Sequence, residues 1–406
     1  RSAVAFDTIR RYFEYCGYTV NYISNFTDVD DKIIKAANEA GISTKELSDK
    51  FIAAFMEDTG QLGIKPATQN PRVINYMDEI IAFVSTLVDK GFAYVSEGDV
   101  YFRVAKSNNY AKLANKTLED LEIGASGRTD AETERKENPL DFALWKAAKE
   151  GEVSWDSPWG PGRPGWHIEC SVMATEILGD TIDIHGGGAD LEFPHHTNEI
   201  AQSEAKTGKT FANYWMHNGF VNVDNEKMSK SLGNFVTVHD MLQTVDGQVL
   251  RFFLATQQYR KPINFTEKAI HDAEVNLKYL KNTHSLPLTE QVNQAELQTY
   301  LDAFQEAMDD DFNTANGVTV LFDMAKWINS GNYDQTVKDA FEKMLQVFGI
   351  VFEEEVLDED IEKLIEERQA ARANKDFATA DRIRDELAAQ GIKLLDTKEG
   401  VRWTRD

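Results

Sequence analysis

The chain has 406 residues and a formal net charge of −25, with 42% hydrophobic and 11% aromatic residues. This composition excludes an intrinsically disordered acidic tail, because it supplies enough apolar side chains for a folded core. No apolar run approaches the roughly 18 residues of a membrane-spanning helix, and the acidity argues against nonspecific coating of nucleic acid. Cys16 and Cys170 can form at most one disulfide, which fits a reducing cytoplasmic compartment.

Residues 1–87 predict the first half of a parallel α/β domain. A helical pattern opens the chain and ends at Gly17, the stretch YTVNYISNF (18–26) predicts a strand, and TDVDDKIIKAANEAG (27–41) predicts a helix. This βαβ rhythm begins at a helix with no strand before it. We therefore expect a further strand upstream of Arg1.

The alternation of strands and helices is interrupted over 88–155. GFAYVSEGDVYFRV is typical of β-structure, whereas the polar stretch IGASGRTDAETERKENP (123–139) predicts a flexible excursion. We interpret 88–155 as a β-rich insertion within the α/β domain, which resumes over 156–235. The elements predicted there are a strand over TIDIH (181–185), a tight turn over GGGAD (186–190) and a helix over 194–208.

The rest of the chain changes from mixed to mainly helical structure. We divide it into a mixed region over 236–283, a polar linker over 284–295, a helical domain over 296–352 and a C-terminal piece over 353–406. Two helices followed by a β-hairpin are predicted within the C-terminal piece, and Gly391 ends the second helix.

Histidine and tryptophan are concentrated between Trp145 and His217, a region with five of the eight histidines and five of the seven tryptophans. Within it, His195 and Glu199 are four residues apart on a predicted helix, so their side chains project from one face. Cys170 precedes the strand that leads to this helix, and thiolate, imidazole and carboxylate are all zinc ligands. The same spacing also fits a buried cysteine beside a helix-surface His/Glu pair without a metal.

The second candidate site is HGGGAD, residues 185–190. Consecutive glycines allow a backbone to approach a ligand closely, and the carboxylate of Asp190 would accept hydrogen bonds from ribose hydroxyls. The motif is not the G-x-G-x-x-G of dinucleotide sites, so a tight turn without a ligand is an open alternative.

The third candidate is EKMSKSLGN, residues 226–234, which has two lysines around Ser229 in a strongly acidic chain. Its serine, glycine and asparagine residues favour a mobile loop. Lys227 and Lys230 together would neutralise charge that develops on a polyphosphate during group transfer. A solvated basic loop is the alternative, but it does not account for the pentapeptide KMSKS directly after a candidate metal and ribose site.

These residues resemble the cysteinyl-tRNA synthetases, a family of class I aminoacyl-tRNA synthetases. KMSKS is the class I signature, and GRPGWHIECS, TIDIHGGGADLEFPHHTNEIAQSEA, YWMHNGFVNVDNEKMSKSLGN, SNFTDVDDKII and MDDDFNTANG are similar to this family in particular. The resemblance implies an α/β fold: a class I Rossmann-type parallel sheet with an inserted β-rich domain, a helical-bundle anticodon-binding domain and a small C-terminal α/β piece. It assigns 1–87 and 156–235 to the catalytic domain, 236–283 to a stem-contact region, 296–352 to anticodon binding and 353–406 to tRNA binding.

The activity implied by the resemblance is cysteine–tRNA ligation. The carboxylate of cysteine would attack the α-phosphate of ATP and release pyrophosphate, and the cysteinyl group would then pass to the terminal adenosine of tRNA(Cys). Lys227 and Lys230 are implied to stabilise the pyrophosphate, with Lys230 the closer ATP ligand. Gly187 and Asp190 are implied to hold the adenosine of ATP, which binds with Mg²⁺.

The resemblance also implies one Zn²⁺ per chain, bound by Cys170, His195 and Glu199, that coordinates the substrate thiolate. A soft thiolate binds zinc far better than a neutral hydroxyl does, so cysteine would be selected over serine without an editing site. Thr27 and Trp166 are implied to line the amino-acid pocket.

The positions that match the anticodon contacts of the family are Arg372, Asp381 and Asp396. Arg372 suits a base or a phosphate, and the two aspartates suit base amino groups. Each of the three is equally well explained as an ordinary surface charge. The family further implies a cytoplasmic monomer whose partners are tRNA, cysteine and ATP, with no membrane partner.

Three departures from the family pattern affect these expectations. The H-I-G-H motif and the fourth zinc ligand, an upstream cysteine, are absent from the sequence, and we expect both before Arg1. Cys16 lies in a predicted helix and is not assigned to the zinc role. The family stretch H-H-E-N-E reads HHTNE, so Thr197 replaces an acidic residue near the ligands and would alter zinc orientation.

Two other functions remain open at this stage. A cysteine ligase of mycothiol biosynthesis, which joins cysteine to an amino sugar, resembles the same family, but it would not need the elaborated segment 296–406. A non-catalytic remnant would bind tRNA without ATP-dependent chemistry, but this chain retains both signature lysines and the three zinc positions.

Overall fold

The computed structural model of the protein describes residues 1–125, 133–353 and 357–406. The chain forms two compact units, Arg1–Val351 and Phe352–Asp406. Within the described ranges, no helix combines the length and the apolar character needed to cross a membrane.

The first unit alternates helices with short strands, and polar side chains cap several helices. The carboxylate of Asp30, for example, accepts a hydrogen bond of 2.7 Å from the backbone N–H of Ile33 at the start of one helix. Gly41 ends the same helix in the left-handed conformation. The elements are α1 Ser2–Tyr15, α2 Asp31–Ala40, α3 Thr44–Gln61, α4 Met77–Asp89, β1 Ala93–Ser96, β2 Asp99–Phe102, α5 Leu118–Ala125, β3 Phe142–Ala147, β4 Gly162–Pro164, α6 Trp166–Leu178, β5 Ile182–Gly188, α7 Thr197–Thr207, β6 Ala212–Asn218, β7 Val221–Val223, β8 Glu226–Lys227, α8 Val238–Met241, α9 Gly247–Ala255, β9 Ile263–Phe265, α10 Glu267–His284, α11 Gln294–Asp309, α12 Thr314–Asn329 and α13 Gln335–Val347.

Parallel strand pairing places the glycine-rich segment beside the strand that precedes the KMSKS region. β5 pairs in parallel with β6, and β7 pairs in parallel with β9. The strand predicted over 18–26 forms two isolated parallel bridges, Ile23 to Gln69 and Phe26 to Arg72, without a continuous ladder. Pro71 lies between the two partners and has no N–H to donate, which interrupts the pairing.

A four-stranded antiparallel sheet with the order β1-β2-β3-β4 interrupts the parallel part. The predicted insertion, 88–155, contains three of these strands, and β4 follows it. Trp145 and Phe102 are fully buried in the core that this sheet shares with α4, α6 and α7. The middle of the predicted polar excursion, 126–132, lies outside the described residues.

One fully buried arginine joins distant segments of the first unit. Nη1 of Arg251, on α9, lies 2.6 Å from a carboxylate oxygen of Asp7 on α1. The guanidinium also donates from Nε to the carbonyl of Phe348 (2.9 Å), from Nη1 to the carbonyl of Leu62 (3.4 Å) and from Nη2 to the hydroxyl of Thr8 (3.0 Å). The guanidinium is therefore paired with both charge and hydrogen-bond acceptors, as a buried arginine requires.

The second unit has two helices and a hairpin where the periodicity predicts them. They are α14 Glu359–Ala373, α15 Phe377–Ala389, β10 Ile392–Thr397 and β11 Gly400–Arg405. The two strands pair antiparallel. A small apolar core joins the helices to the hairpin and consists of Leu357, Ile361, Ile383, Leu387 and Ile392.

Replacing Arg251 by methionine keeps an apolar stem of similar length but removes the guanidinium. We expect the free energy of unfolding to fall by about 3 kcal/mol, because Asp7 is left buried without its main counter-ion. Urea unfolding followed by circular dichroism measures this change. Lys268→Met is the control, since the Lys268–Asp272 pair on α10 is exposed and its loss should change stability by less than about 0.5 kcal/mol. Equal effects of the two substitutions would contradict the role of Arg251.

Candidate functional site

Two adjacent helices position the three predicted metal ligands. α6 carries Cys170, Glu199 lies in the first turn of α7, and His195 lies in the turn before α7. The Ser171 hydroxyl donates to the backbone carbonyl of Glu199 (3.2 Å), and the Gln202 amide donates to the same hydroxyl (2.9 Å). These buried hydrogen bonds hold the two helices together beside the ligands.

The ligand atoms of Cys170, His195 and Glu199 all lie within 4.8 Å of one another. Nε2 of His195 is 3.2 Å from Oε2 of Glu199, as expected for side chains four residues apart on one helical face. Glu199 is fully buried, and Oε2 forms no hydrogen bond with the described residues. A buried carboxylate oxygen without a donor is costly, and a cation bound among these three ligand atoms would remove that cost. Thiol, imidazole and carboxylate donors fit zinc.

Burial controls the protonation of the candidate ligands. It raises the pKa of the Cys170 thiol well above its ordinary value, and the nearby carboxylates of Glu199 and Glu169 add to this effect. It lowers the pKa of His195, against the opposing effect of Glu199. The imidazole is therefore neutral near pH 7, which is the form that binds a metal. The thiol would ionise once a cation lay beside it.

Two further histidines orient the candidate ligands, and the sequence analysis did not identify them. Nδ1 of His167 lies 2.8 Å from Nδ1 of His195, and Nε2 of His185 lies 2.9 Å from Oε1 of Glu199. Burial, with His195 and Lys146 nearby, lowers the pKa of His167 to about 3, so this ring is neutral. The contact at Nδ1 leaves Nε2 of His195 facing Glu199. The concentration of histidines was the only sequence signal for these partners.

His196 contributes to a second, overlapping group of donors. Its Nδ1 lies 2.8 Å from Nε2 of His217, and its Nε2 lies 3.8 Å from Oε2 of Glu199. The ligand atoms of His185, His196 and Glu199 also lie within 4.8 Å of one another. The Thr197 hydroxyl donates to the backbone carbonyl of Glu192 (2.8 Å), so it links the first residue of α7 to the turn before it.

The tight turn predicted over 186–190 is wrong. β5 continues through Gly188 in register with β6, and the turn follows at Ala189–Leu191. A Cβ on Gly186 would lie 2.4 Å from the ring of Phe6. Glycine is therefore required here for close packing of a strand against α1, and not for chain reversal.

A cleft of about 1320 Å³ opens beside these elements. Thr27, Cys170 and Gly187 line it, so the structure brings together one predicted amino-acid contact, one predicted metal ligand and one predicted adenosine contact. Trp166 is not among the lining residues; its ring contacts that of a candidate ligand, His195, in a tilted arrangement with centroids 4.3 Å apart. Asp190 is exposed and likewise is not part of the lining.

Both lysines of KMSKS are exposed, but only part of the predicted loop is irregular. Lys227 lies on β8, which pairs antiparallel with β7, and Lys230 lies in the turn that follows. The backbone N–H of Ser229 donates to the side-chain carbonyl of Asn234 (2.9 Å). The two cationic side chains therefore extend from a hairpin with internal hydrogen bonds.

In the second unit, two of the predicted tRNA contacts form one charged cluster. Arg368, which the sequence analysis did not identify, is buried and donates to both carboxylate oxygens of Asp396 at 3.0 Å. Arg372 lies 2.6 Å from the same carboxylate, whose pKa is lowered chiefly by the hydrogen bonds from Arg368. Asp381 is separate from this cluster and lies 3.7 Å from Arg384.

Comparisons with known families cover almost the whole chain. Residues 1–275 match the catalytic domain of tRNA synthetases class I (C), residues 303–353 match the DALR domain, and residues 354–403 match the cysteinyl-tRNA ligase anticodon binding domain. The chain belongs to the cysteinyl-tRNA synthetase family. The resemblance inferred from the sequence blocks is thereby confirmed, and the fold is that of a class I catalytic domain with a DALR helical domain and a C-terminal anticodon domain.

Curated cysteinyl-tRNA synthetases are highly similar to this chain. It is 95% identical over 406 residues to the cysteine–tRNA ligase of Streptococcus thermophilus strain CNRZ 1066, covering 100% of this chain and 91% of that protein. It is 82% identical to the enzyme of Streptococcus agalactiae serotype III, with the same coverage. Mycobacterium tuberculosis methionyl-tRNA synthetase, solved with methionyl-adenylate, shares the fold at 15% identity and a TM-score of 0.59, covering 85% of each chain.

In this family member, Gly186→Ala tests the packing of the site strand. A Cβ 2.4 Å from the Phe6 ring and 3.2 Å from the carbonyl of Met216 would force the strand or the ring to move. We expect the free energy of unfolding to fall by about 1–3 kcal/mol, measured by urea unfolding. Gly60→Ala is the control, because Gly60 lies on α3 with open space around it and alanine should stabilise the helix. A neutral result for Gly186→Ala would refute the packing argument.

Proposed function

We propose that this chain is a cysteine–tRNA ligase that activates cysteine with ATP and transfers it to the 3′ adenosine of tRNA(Cys). The observation that carries the proposal is the convergence of Cys170, His195 and Glu199 within 4.8 Å, with one buried oxygen of Glu199 that has no donor among the described residues. A thiol, a neutral imidazole and a carboxylate form a donor set that suits a metal ion able to take up and release a soft ligand such as a thiolate. The family matches to a catalytic and an anticodon-binding domain support the same activity.

Cys170, His195 and Glu199 would hold one zinc ion in this proposal. When bound, zinc supplies a strong preference for a thiolate over a neutral hydroxyl, which is the difference between cysteine and serine. His167 and His185 keep the imidazole of His195 and the carboxylate of Glu199 in place through their 2.8 Å and 2.9 Å contacts.

The adenylate-forming step would depend on residues around the cleft. Gly187 allows the backbone of β5 to approach the adenosine closely, and Asp190 would accept a hydrogen bond from its ribose. Lys227 and Lys230 would reach the phosphates of Mg²⁺–ATP and neutralise charge on the departing pyrophosphate. Thr27 on the cleft wall, with Trp166 against the ring of His195, would shape the amino-acid pocket.

Recognition of tRNA would use both parts of the chain. We assign 1–87 and 156–235 to a Rossmann-type catalytic domain, 88–155 to its insertion and 236–283 to contacts with the tRNA stem. Beyond the linker 284–295, the helices of 296–352 and the piece 353–406 would bind the anticodon end. Arg372, Asp381 and Asp396 are exposed enough to meet bases or phosphates, and the carboxylate of Asp396 is held by Arg368 and Arg372. We propose a cytoplasmic monomer.

Cysteine-dependent exchange between ATP and pyrophosphate tests the proposed activity, with serine as the competing substrate. We expect exchange with cysteine only, and Lys230→Ala should lower its rate by about 100-fold because a charge that stabilises pyrophosphate is lost. Binding of tRNA should be unchanged. Lys268→Ala, which removes an exposed lysine on α10, is the control and should retain the full rate. An equal loss of exchange and tRNA binding in Lys230→Ala would contradict the assigned role.

Cys170→Ser tests the metal site independently of catalysis. We expect the zinc content, measured by mass spectrometry of the purified protein, and the affinity for cysteine to fall together, because a hydroxyl is a poor zinc ligand. Cys16→Ser is the matched control, since Cys16 is exposed at the end of α1. Unchanged zinc content in Cys170→Ser would remove Cys170 from the ligand set.

A further inference from the structure

Each lysine of the KMSKS signature lies over an aromatic ring. Nζ of Lys227 is 4.3 Å from the ring centroid of Phe220, and Nζ of Lys230 is 5.4 Å from that of Phe235. Both distances fall within the range of cation–π attraction. Over the described residues neither ammonium group forms an ion pair, although the chain has 68 acidic residues.

The first of these contacts is built into a hairpin. Phe220 immediately precedes β7, and its carbonyl accepts a hydrogen bond of 2.9 Å from the backbone N–H of Ile263 at the start of β9. Lys227 lies on β8 opposite Asn222 of β7. The tight turn at Asp224–Asn225, where both residues adopt positive φ, returns the chain so that Lys227 comes back to the ring.

The second contact depends on Asn234. Its side-chain carbonyl accepts from the backbone N–H of Ser229 (2.9 Å), and its amide donates to the backbone carbonyl of Lys227 (3.2 Å). Asn234 therefore bridges the turn that carries Lys230. It also fixes the backbone position of Phe235, the next residue. Both the cation and its ring start from defined backbone positions.

The exposure of the rings argues against a purely structural role. Phe220 is 37% exposed and Phe235 is 49% exposed, so neither is a core side chain whose burial alone explains its presence. A ring also differs from a carboxylate as a partner for lysine. It attracts the ammonium group without neutralising its charge, and it adds only about a two- to fivefold preference at an exposed site.

We propose that Phe220 and Phe235 are resting docks for Lys227 and Lys230. The rings hold the two ammonium groups in the free enzyme, keep them from the many carboxylates of the chain, and release them to the phosphates of ATP. Phe220 and Phe235 are positioning residues, since they act through the lysines. This inference rests on the proposed function, because the phosphates are those of the ATP substrate.

A contact that exists only in the free enzyme opposes binding, so its removal should favour ATP. For Phe235→Leu, which keeps an apolar side chain but removes the ring, we expect the KM for ATP in cysteine-dependent exchange to fall about two- to fivefold with kcat unchanged. Phe235→Tyr retains the ring and should keep the original KM. Phe235→Trp offers the strongest ring and should raise the KM. Phe220→Leu tests the other dock in the same way. An equal KM across the series, or a higher KM for Phe235→Leu, would overturn the proposal.

Nuclear magnetic resonance of the lysine side chains tests the docks without relying on activity. We expect ring-current shifts of the ε-methylene protons of Lys227 and Lys230 in the free protein, and loss of the Lys230 shift in Phe235→Leu. Addition of Mg²⁺–ATP should move both signals toward unshifted positions. Unshifted signals in the free protein would refute the docks. If the ring-current shifts are present but the unaltered protein shows no cysteine-dependent exchange, the proposed ligase activity fails while the docks stand. If the two lysine signals do not respond to Mg²⁺–ATP, the release of the lysines is refuted.

Discussion

The buried ion pair between Asp7 and Arg251 is the interaction on which the first unit depends. A guanidinium out of water is stable only when its charge is paired and its donors are satisfied. Here the acceptors come from α1, from the residue after α3 and from the segment after α13. The packing of the Arg251 side chain also requires glycine at position 349, because a Cβ on Gly349 would lie 2.5 Å from Cζ of Arg251. One side chain therefore ties the α/β part, which carries the candidate site, to the helices that follow it.

The candidate site also contains a buried charged group that needs a partner, the carboxylate of Glu199. Glu199 is fully buried, and one of its oxygens contacts His185 at 2.9 Å. The other oxygen faces His195 and Cys170 and has no hydrogen bond within the part of the chain that the structure describes. Burial lowers the pKa of His167 and of His195, so these two rings supply no fixed cation to the carboxylate near pH 7. The arrangement is suited to a cation, and the contact with His167 holds the imidazole of His195 in its orientation toward Glu199.

The KMSKS hairpin differs from these two sites because its charged side chains are exposed. Lys227 and Lys230 are exposed and lie over aromatic rings, which hold an ammonium group only weakly at an exposed site. The side-chain hydrogen bonds of Asn234 fix the backbone of the hairpin, whereas the ammonium groups of the two lysines stay exposed. In the second unit, Arg368 fixes the carboxylate of Asp396 by two hydrogen bonds of 3.0 Å.

The sequence by itself determined the family, the two helices and hairpin of the second unit, and the shared face of His195 and Glu199. These follow from local pattern, because residues four apart on a helix are neighbours whatever surrounds them. Only the tertiary structure decided that Gly186 continues a strand packed on Phe6, that His167 and His185 support the ligands, and that Arg251 pairs with Asp7. Periodicity shows which face of an element is apolar, but it does not show which element covers that face. Contacts between polar side chains on different elements therefore depend on packing that no local stretch of sequence specifies.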